Sequence, residues 1–373
     1  MSLTAGAARA RDHFRHHGAE QKEIERAGKE PFGAIPKGPL QIFISTNQQK
    51  LHLYSDGTHI ADAPVATGVP SHPTPFGVFN VIQKERFHRS NKYSNAPMPF
   101  MQRITWSGVA LHEGKGLGRP ASHGCIRMPH DFAVRLYGLT RLGAAVIIAR
   151  GELAPLDFAD AHLFVHKDRA PDQAAGASEL KTAQSGDRGN SDDAAAPVPA
   201  SLKDDPATAA GAATAADHAP IAIFISRKNR RIYVRQHFAP LFDAAVTIAP
   251  ADQPLGTHLF TAMDYRDGNS AFRWTVVSLP GDPPRGSDAV ADDDDGGRRH
   301  HHKGHRVAGS SAGPLPDPPP PATPQEALSR IEIPAAVAER ISAMIVPGSS
   351  LIISDQGLGD ETGAGTDFVV VAR

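Results

Sequence analysis

Residues 122–127 read Ser-His-Gly-Cys-Ile-Arg, and this stretch carries the most informative motif of the chain. Cys125 is the only cysteine among the 373 residues. A thiol with the ordinary pKa of about 8.5 is only slightly ionised at neutral pH, so a cysteine nucleophile needs an imidazole base or a positive environment. His123 precedes the thiol by two residues, and His112 ends an apolar run upstream. We therefore predict that Cys125 is a catalytic thiolate nucleophile served by a histidine.

The more distant histidine, His112, is the better candidate for the base. His123 can share a strand face with the thiol, but its segment reads equally as a turn, whereas the loop that follows His112 can fold back on itself. Gly124 lets the backbone approach a substrate closely, and the N–H groups of Gly124 and Cys125 can form an oxyanion hole. Arg127 is placed to bind a substrate carboxylate.

Cys125 and His112 also have a structural interpretation. A lone cysteine is usually a small buried hydrophobic residue, and a single histidine is more often a hydrogen-bonded structural residue than a base. The choice between the two interpretations therefore depends on the wider pattern of the sequence.

Composition and charge exclude several classes of protein. The formal net charge is −1 at pH 7, so the chain lacks the basic surplus of a general nucleic-acid binder. No apolar run reaches the length of about 18 residues that a membrane span needs, and one cysteine permits no intramolecular disulfide. Residues 1–30 are charged and lack the apolar stretch of a secretory signal. We expect either a cytoplasmic protein or a chain that begins after a removed signal.

Residues 38–152 predict one mainly β domain. Short alternating segments are separated by turn residues such as Ser55-Asp56-Gly57. Pro129 to Leu142 has helical spacing, and an apolar run then closes the domain. The predicted strands are 41–45, 50–54, 60–67, 78–82, 108–111 and 145–149. Residues 1–37 predict a polar helical arm that precedes the domain.

Residues 153–218 predict a flexible linker. From residue 166 onward the segment consists mainly of Ala, Asp, Ser, Gly and Pro, with few large apolar side chains. Such a composition cannot bury enough surface to offset the entropy lost on ordering.

The remaining residues, 219–373, repeat the pattern of the first domain. Residues 39–45 align with 220–226, and 126–149 align without a gap with 331–354. The matched order of strands, helix and closing strand predicts a second, degenerate copy of the first domain.

The predicted copy lacks the thiol. In the alignment Arg330 occupies the position of Cys125, and Leu328 that of His123. A low-complexity insert at about 281–325 interrupts the copy. Its four histidines are residues that can bind a metal. They lie in a polar segment that is not predicted to fold, so we predict no metal site there. They are His300, His301, His302 and His305.

Three motifs together resemble the catalytic domain of the L,D-transpeptidase family of the YkuD type. The family's pattern is a histidine, a loop, and then Ser/Thr-His-Gly-Cys followed by an apolar residue and Arg or Asn. This pattern resembles Leu111-His112-Glu113-Gly114 together with residues 120–129. Residues 74–79 resemble its Thr-Pro-x-Gly-x-Phe, and residues 96–101 resemble the strand before the histidine. The resemblance implies a β-sandwich or barrel with a short helix after the catalytic cysteine, repeated in the degenerate copy.

The resemblance also implies roles for individual residues. Cys125 would be the nucleophile and His112 the general base, with no metal and no organic cofactor. The other residues expected at the site are the oxyanion donors Gly124 and Cys125, the site-shaping Ser122, His123 and Arg127, and the groove residues Tyr93 and Met98. One position departs from the family, because the base is followed by Glu113 rather than Gly or Ser. The loop from His112 to Cys125 is also short for the family.

The activity implied is acyl transfer on peptidoglycan tetrapeptide stems through a cysteine thioester, which forms cross-links or attaches a protein to the wall. Two alternatives stay open: a hydrolase of the same fold, acting as an L,D-carboxypeptidase or on wall-linked protein, and a non-catalytic wall-binding protein. The expected partners are stem peptides and, as an alternative acceptor, a wall-attached protein, with no nucleic acid. The substrate implies a location in the periplasm or cell wall.

Overall fold

The structure, a computed structural model, describes residues 32, 35–93, 95–167, 219–266, 271–280, 320–363 and 366–371. Most of the predicted arm, the linker from residue 168 and the insert up to residue 319 lie outside these residues. The insert's four histidines also lie outside the described residues, so the predictions for these segments stay predictions.

The described chain is mainly β, as predicted. Before residue 168 the elements are β1 (Leu40–Ser45), β2 (Lys50–Ser55), β3 (Thr58–Pro64), β4 (Gly77–Asn80), β5 (Gln83–Arg89), β6 (Pro97–Arg103), β7 (Ala110–Glu113), β8 (Ile126–Met128), α1 (His130–Leu139), β9 (Ala145–Ala149) and β10 (Leu156–Phe158). After residue 218 they are β11 (Ile221–Ser226), β12 (Arg231–Gln236), β13 (Ala239–Ala245), β14 (Thr247–Ile248), β15 (Thr257–Arg266), β16 (Ala271–Leu279), α2 (Pro324–Ser329), β17 (Ile331–Glu332), α3 (Ala335–Ser342), β18 (Ser350–Ser354) and β19 (Val370–Val371). Among the described helices, none has the length and apolarity needed to cross a membrane.

Two sheets and α1 enclose the core of the first unit, residues 38–152. The larger sheet has the order β19-β4-β9-β1-β2-β3, and the smaller one β5-β6-β7-β8. Leu51 and Leu53 of β2 lie in this core, so His52 and Tyr54, which alternate with them, point to the opposite face of the sheet. A two-residue turn with positive φ at Asp56 (52°) and Gly57 (73°) connects β2 to β3, as a tight hairpin requires.

The helix α1 covers the core beside the smaller sheet. It buries Phe132, Ala133 and Leu136. The predicted span ended at Leu142, but the helix ends three residues earlier because Thr140 is extended, with ψ of 149°. The Thr140 hydroxyl donates to Gln102 of β6.

The second unit, residues 219–373, contains a seven-stranded sheet with the order β10-β16-β15-β18-β11-β12-β13. Its run β15-β18-β11-β12-β13 has the same arrangement as β4-β9-β1-β2-β3 of the first unit. In each unit the central pair is parallel, β1 with β9 and β11 with β18. A helix precedes the second strand of each parallel pair, α1 before β9 and α3 before β18.

The two large sheets share a buried cluster. Phe43, Val78 and Ile147 of the first unit and Phe224, Leu259 and Ile352 of the second belong to it. Two strands also cross between the sheets: β10, which follows the first unit, pairs with β16, and β19 of the second unit pairs with β4. The described parts of the two units therefore form one packed body.

Described secondary structure lies inside the edges of two predicted segments. The linker was expected to start at residue 153, but β10 is ordered, and Leu163 and Phe164 are buried in the core of the second unit. The insert was expected to run to about 325, but α2 starts at Pro324 behind a capping box formed by Thr323 and Glu326. In both places a few apolar or capping residues at the end of a polar segment supply enough local contacts for order.

Candidate active site

The candidate site lies where β7 and β8 run side by side. These strands pair in parallel, with Leu111 opposite Ile126 and His112 opposite Arg127. Leu111 and Ile126 are fully buried in the core. Because successive side chains of a strand point to opposite faces, the neighbours of these two residues point away from the core.

Those neighbours face a cavity of about 680 Å³. Ala110, His112, Cys125 and Arg127 all line it. The structure thus brings the predicted nucleophile and the predicted base to one face of adjacent strands.

His112 is held in one tautomer by the backbone. Its Nδ1 lies 2.6 Å from the carbonyl oxygen of Glu113. A carbonyl can only accept, so Nδ1 carries the proton and Nε2 keeps its lone pair. Burial lowers the pKa of His112 to about 4, although the hydrogen bond to Glu113 acts to raise it. At neutral pH His112 is therefore an uncharged base.

The Cys125 thiol is half-buried against Met98 and Ala110. Its Sγ donates to the carbonyl oxygen of Gly108 at 3.7 Å. Burial raises the pKa of the Cys125 thiol, while the backbone of Ala110 and the charge of Arg127 act to lower it. The resting pair is accordingly a neutral thiol beside a neutral imidazole.

A set of hydrogen bonds fixes the backbone at Gly124. Its φ of +105° is a conformation that favours glycine. The Gly124 carbonyl accepts from Thr74 Oγ1 at 2.9 Å, and the Gly124 N–H donates to Ser122 Oγ at 3.1 Å. Ser122 Oγ donates to the Cys125 carbonyl at 2.5 Å. The Gly124 amide is thus bonded to the Ser122 hydroxyl in this structure, and the expectation that Gly124 and Cys125 serve as oxyanion donors stays a prediction.

Aromatic side chains form one wall of the cavity. Tyr93 stacks on His123 with ring centroids 4.8 Å apart and an interplanar angle of 26°. His72 packs edge-on against His123, also at 4.8 Å. The predicted groove residue Tyr93 and the site-shaping His123 therefore lie together at the cavity.

Arg127 and Met98 lie on other parts of the lining. Arg127 donates from Nη1 to the carbonyl of Lys115 at 3.3 Å, so it braces the loop after β7 as well as facing the cavity. Met98 is mostly buried and packs with Cys125.

Glu113, where the chain departs from the family pattern, places its carboxylate at the cavity. Its Oε2 lies 2.9 Å from Nδ1 of His130, and this hydrogen bond raises the pKa of His130. Both side chains line the cavity, so the departure adds a hydrogen-bonded glutamate–histidine pair there and leaves the backbone contact to His112 intact.

Three further residues support the site without having been given a role from the sequence. Thr74, which donates to the Gly124 carbonyl, lies in the motif of residues 74–79. Gly108, whose carbonyl accepts from the thiol, belongs to none of the three motifs. Glu361 of the second unit accepts from the N–H groups of Trp106 at 2.5 Å and Ser107 at 3.0 Å. Nothing in the local sequence links Glu361 to a loop about 255 residues away.

Metal-ligating side chains are clustered elsewhere in the described part of the chain. The one group of three found there is His52, His59 and Asp62, on β2 and β3. Neither Cys125 nor His112 belongs to it.

Comparison with known proteins finds similarity to L,D-transpeptidases. L,D-transpeptidase 1 of Mycobacterium tuberculosis is 29% identical over 106 residues, which cover 24% of this chain and 41% of that protein. The chain therefore spans about two fifths of that curated relative. Among solved structures, an L,D-transpeptidase from Mycobacterium smegmatis is 24% identical over 30% of this chain and 58% of that one, with a TM-score of 0.28. One from Stackebrandtia nassauensis is 26% identical over 33% and 62%, also with a TM-score of 0.28.

The family comparison covers the strands that carry the site. It runs from residue 39 to residue 148, from the start of β1 into β9, and so includes both His112 and Cys125. Residues 39–148 of this chain match the YkuD family, the L,D-transpeptidase catalytic domain.

Proposed function

We propose that residues 38–152 act as an L,D-transpeptidase on peptidoglycan tetrapeptide stems, through a thioester at Cys125. The observation that carries this proposal is that His112, on β7, and Cys125, immediately before the parallel strand β8, line one cavity. The fixed tautomer of His112, with its Nε2 lone pair available, is what a general base needs.

In the proposed first half-reaction the thiol of Cys125 attacks the carbonyl of the L-centre of the diamino acid. The thiol proton passes to Nε2 of His112, and the Cys125 N–H donates to the developing oxyanion. The bond to the terminal D-alanine breaks, its amine takes the proton from His112, and a thioester remains.

In the second half-reaction an amine of another stem attacks the thioester. His112 accepts a proton from this amine and returns one to the departing sulfur, which restores the resting pair. An amine of a wall-attached protein would give attachment of that protein by the same step. No metal or organic cofactor enters either half.

The cavity lining supports a peptide substrate. Arg127 offers a guanidinium suited to a substrate carboxylate. Tyr93 stacked on His123 offers an aromatic surface, and Met98 packs behind the thiol. We assign the donor stem to this groove and, from its substrate, a periplasmic or wall location to the protein.

Products distinguish the transferase from a hydrolase of the same fold. Purified full-length protein is incubated with a muropeptide tetrapeptide, and products are followed by mass spectrometry. We expect cross-linked dimers; tripeptide alone would show that water resolves the thioester, as in an L,D-carboxypeptidase. A non-catalytic wall-binding protein would form no acyl-enzyme at Cys125 and would keep its biological activity in Cys125→Ala.

We further propose that the second unit is a degenerate copy that serves as a scaffold. The matching order of five strands and the parallel central pair support this. The pairing of Ala66 with Arg127 in the first unit has a counterpart in Thr247 with Glu332 in the second.

The position aligned with Cys125 carries a structural side chain in the second unit. The Arg330 guanidinium donates to four backbone carbonyls of one loop, those of Ala249, Pro250, Gln253 and Pro254. An arginine engaged in this way closes the loop of the second unit and leaves no nucleophile at that position. The scaffold role rests on β19, which pairs with β4, and on Glu361 beside the active-site loop.

A further inference from the structure

A cluster of two imidazoles and a carboxylate lies on the β2–β3 hairpin, apart from the residues that line the active-site cavity. Asp62 Oδ1 lies 2.7 Å from Nδ1 of His52 and 2.5 Å from Nε2 of His59. His52 is 5% exposed, while His59 and Asp62 are exposed. The three ligand atoms lie within 4.8 Å of one another.

A β-bulge creates this cluster. His52 pairs with Asp62 and Tyr54 pairs with His59, because the register shifts between Leu53 and Tyr54. In a regular strand residues 59 and 62 would point to opposite faces, since their separation is odd. The extra residue of the bulge turns His59 to the face that carries His52 and Asp62.

The hydrogen bonds of the cluster leave the second ring nitrogen of His52, Nε2, without a partner. Nε2 of His52 is buried and has no hydrogen-bond partner among the described residues. If Nδ1 donates to Asp62, Nε2 is a bare acceptor with no donor, which is costly for a buried polar atom. Oε1 of Glu152 lies 3.9 Å from this Nε2, and the Gln48 side-chain amide donates to the other carboxylate oxygen of Glu152 at 3.0 Å.

Metal binding through Nδ1 would resolve this arrangement. The proton of His52 would then sit on Nε2 and face the carboxylate of Glu152. A ligating histidine commonly donates its other ring N–H to a carboxylate in this way. His52, Asp62 and Glu152 are thus already arranged as a metal ligand, a second ligand and an outer-shell carboxylate.

We propose that His52 Nδ1, His59 Nε2 and the Asp62 carboxylate bind one divalent first-row transition ion of the Zn²⁺ class. Ligand distances of about 2.0–2.2 Å let such an ion bridge the three groups, with solvent completing the tetrahedron. Two imidazoles favour Zn²⁺ over Mg²⁺ or Ca²⁺, which prefer oxygen ligands. The ion would tie β3, the edge strand, to β2.

The second unit provides an internal comparison. Its β12–β13 pair has a bulge at the corresponding place, and Tyr233 pairs with Asp243 there as His52 pairs with Asp62. In that unit Asp243 forms an ion pair with Arg231 instead of bonding two imidazoles. The carboxylate is present in both units, but the two histidines are present in the first alone.

Zn²⁺ titration of the full-length protein tests the proposal. The four histidines of the insert, His300, His301, His302 and His305, are first replaced by asparagine in all samples, and metal is removed with EDTA. Calorimetry is then run with Zn²⁺ on this parent chain and on His59→Gln and Asp62→Asn. Asp243→Asn and His162→Gln are the matched controls. Asp243 pairs with an arginine, and His162 pairs with Asp160 but has no third ligand among the residues that the structure describes.

We expect one Zn²⁺ equivalent to be lost, or bound at least tenfold more weakly, in His59→Gln and Asp62→Asn, and to be retained in both controls. Glu152→Gln should weaken the same equivalent by about 10- to 100-fold. Thermal unfolding in EDTA checks that the variants fold, which their exposed positions favour. A parent chain that binds no Zn²⁺ at micromolar concentration, or a folded His59→Gln that keeps every equivalent, would overturn the proposal.

Discussion

Replacing Glu361 by glutamine tests whether the second unit positions the loop beside Cys125. The two carboxylate oxygens accept from the N–H groups of Trp106 and Ser107, at 2.5 and 3.0 Å. The loop continues to Gly108, whose carbonyl lies 3.7 Å from the thiol sulfur. Glutamine offers one carbonyl oxygen and one NH₂ group, so one of the two backbone N–H groups loses its acceptor.

The size of the effect follows from the exposure of the contact. A hydrogen bond to a charged group is worth about 1.5–3 kcal/mol, but Trp106 and Ser107 are exposed, so a discounted value of about 1 kcal/mol is appropriate. If this free energy is used to hold the loop for attack, its loss lowers the rate of thioester formation by about fivefold.

The assay is the rate at which a tetrapeptide donor acylates Cys125, followed by mass spectrometry of the intact protein. Glu339→Gln is the matched control, because Glu339 is an exposed carboxylate of the second unit on α3. We expect the acylation rate of Glu361→Gln to be about fivefold lower than that of the parent, and the rate of the control to be unchanged. A folded Glu361→Gln that is acylated at the parent rate would refute the positioning role.

Further variants and conditions test the site itself. Cys125→Ala should abolish acyl-enzyme formation while keeping the unfolding midpoint near that of the parent; residual acylation detected by intact mass would rule out this nucleophile. Since burial lowers the pKa of His112 to about 4 and only the neutral imidazole is a base, kcat/KM should be flat above that value and fall as the pH drops through it; an acid limb near pH 6.5 would contradict the neutral resting state. Thr74→Val should cost about 2–3 kcal/mol in urea unfolding, because the Gly124 carbonyl loses a donor and the Gly68 N–H an acceptor; a change below about 0.5 kcal/mol would show that these bonds are replaced by water.

Much of the first unit could be predicted because its signals are local. Turn residues and apolar alternation give β1, β2 and β9 within one residue of their observed ends. The strand β5 was not predicted, because Gln83–Arg89 is mostly charged and shows no apolar alternation. Its strand conformation comes from pairing with β6, which a local pattern does not encode.

The site could be predicted in its residue types but not in its contacts. Both His112 and Cys125 lie within recognisable motifs, and the parallel register of β7 and β8 then brings them together. The bond that engages the Gly124 amide depends on where the Ser122 hydroxyl points, which spacing does not specify. Glu361 and the strand β10 act across the two units, and such long-range pairing leaves no periodic signal in either partner.

The packing of the two large sheets gives a physical reason why a copy without the thiol would keep its frame. Phe43 is the fourth residue of β1, and Phe224 is the fourth residue of β11. Likewise Ile147 and Ile352 are the third residues of β9 and β18. All four side chains lie in the shared cluster. Equivalent positions thus meet face to face, as in a two-fold symmetric dimer. Each sheet would otherwise expose an apolar face.

The position of Cys125 is subject to no such constraint, because it faces the cavity on the smaller sheet and lies outside this shared cluster. Loss of the thiol would therefore leave the contact between the units unchanged, whereas loss of Phe224 would open a cavity in it. In the proposed copy the strands and the inner face carry the contact, while Arg330 at the position aligned with Cys125 lies outside the shared cluster. For the degenerate copy proposed above, the contact between the sheets therefore accounts for the matching strands, and the active site does not enter that contact.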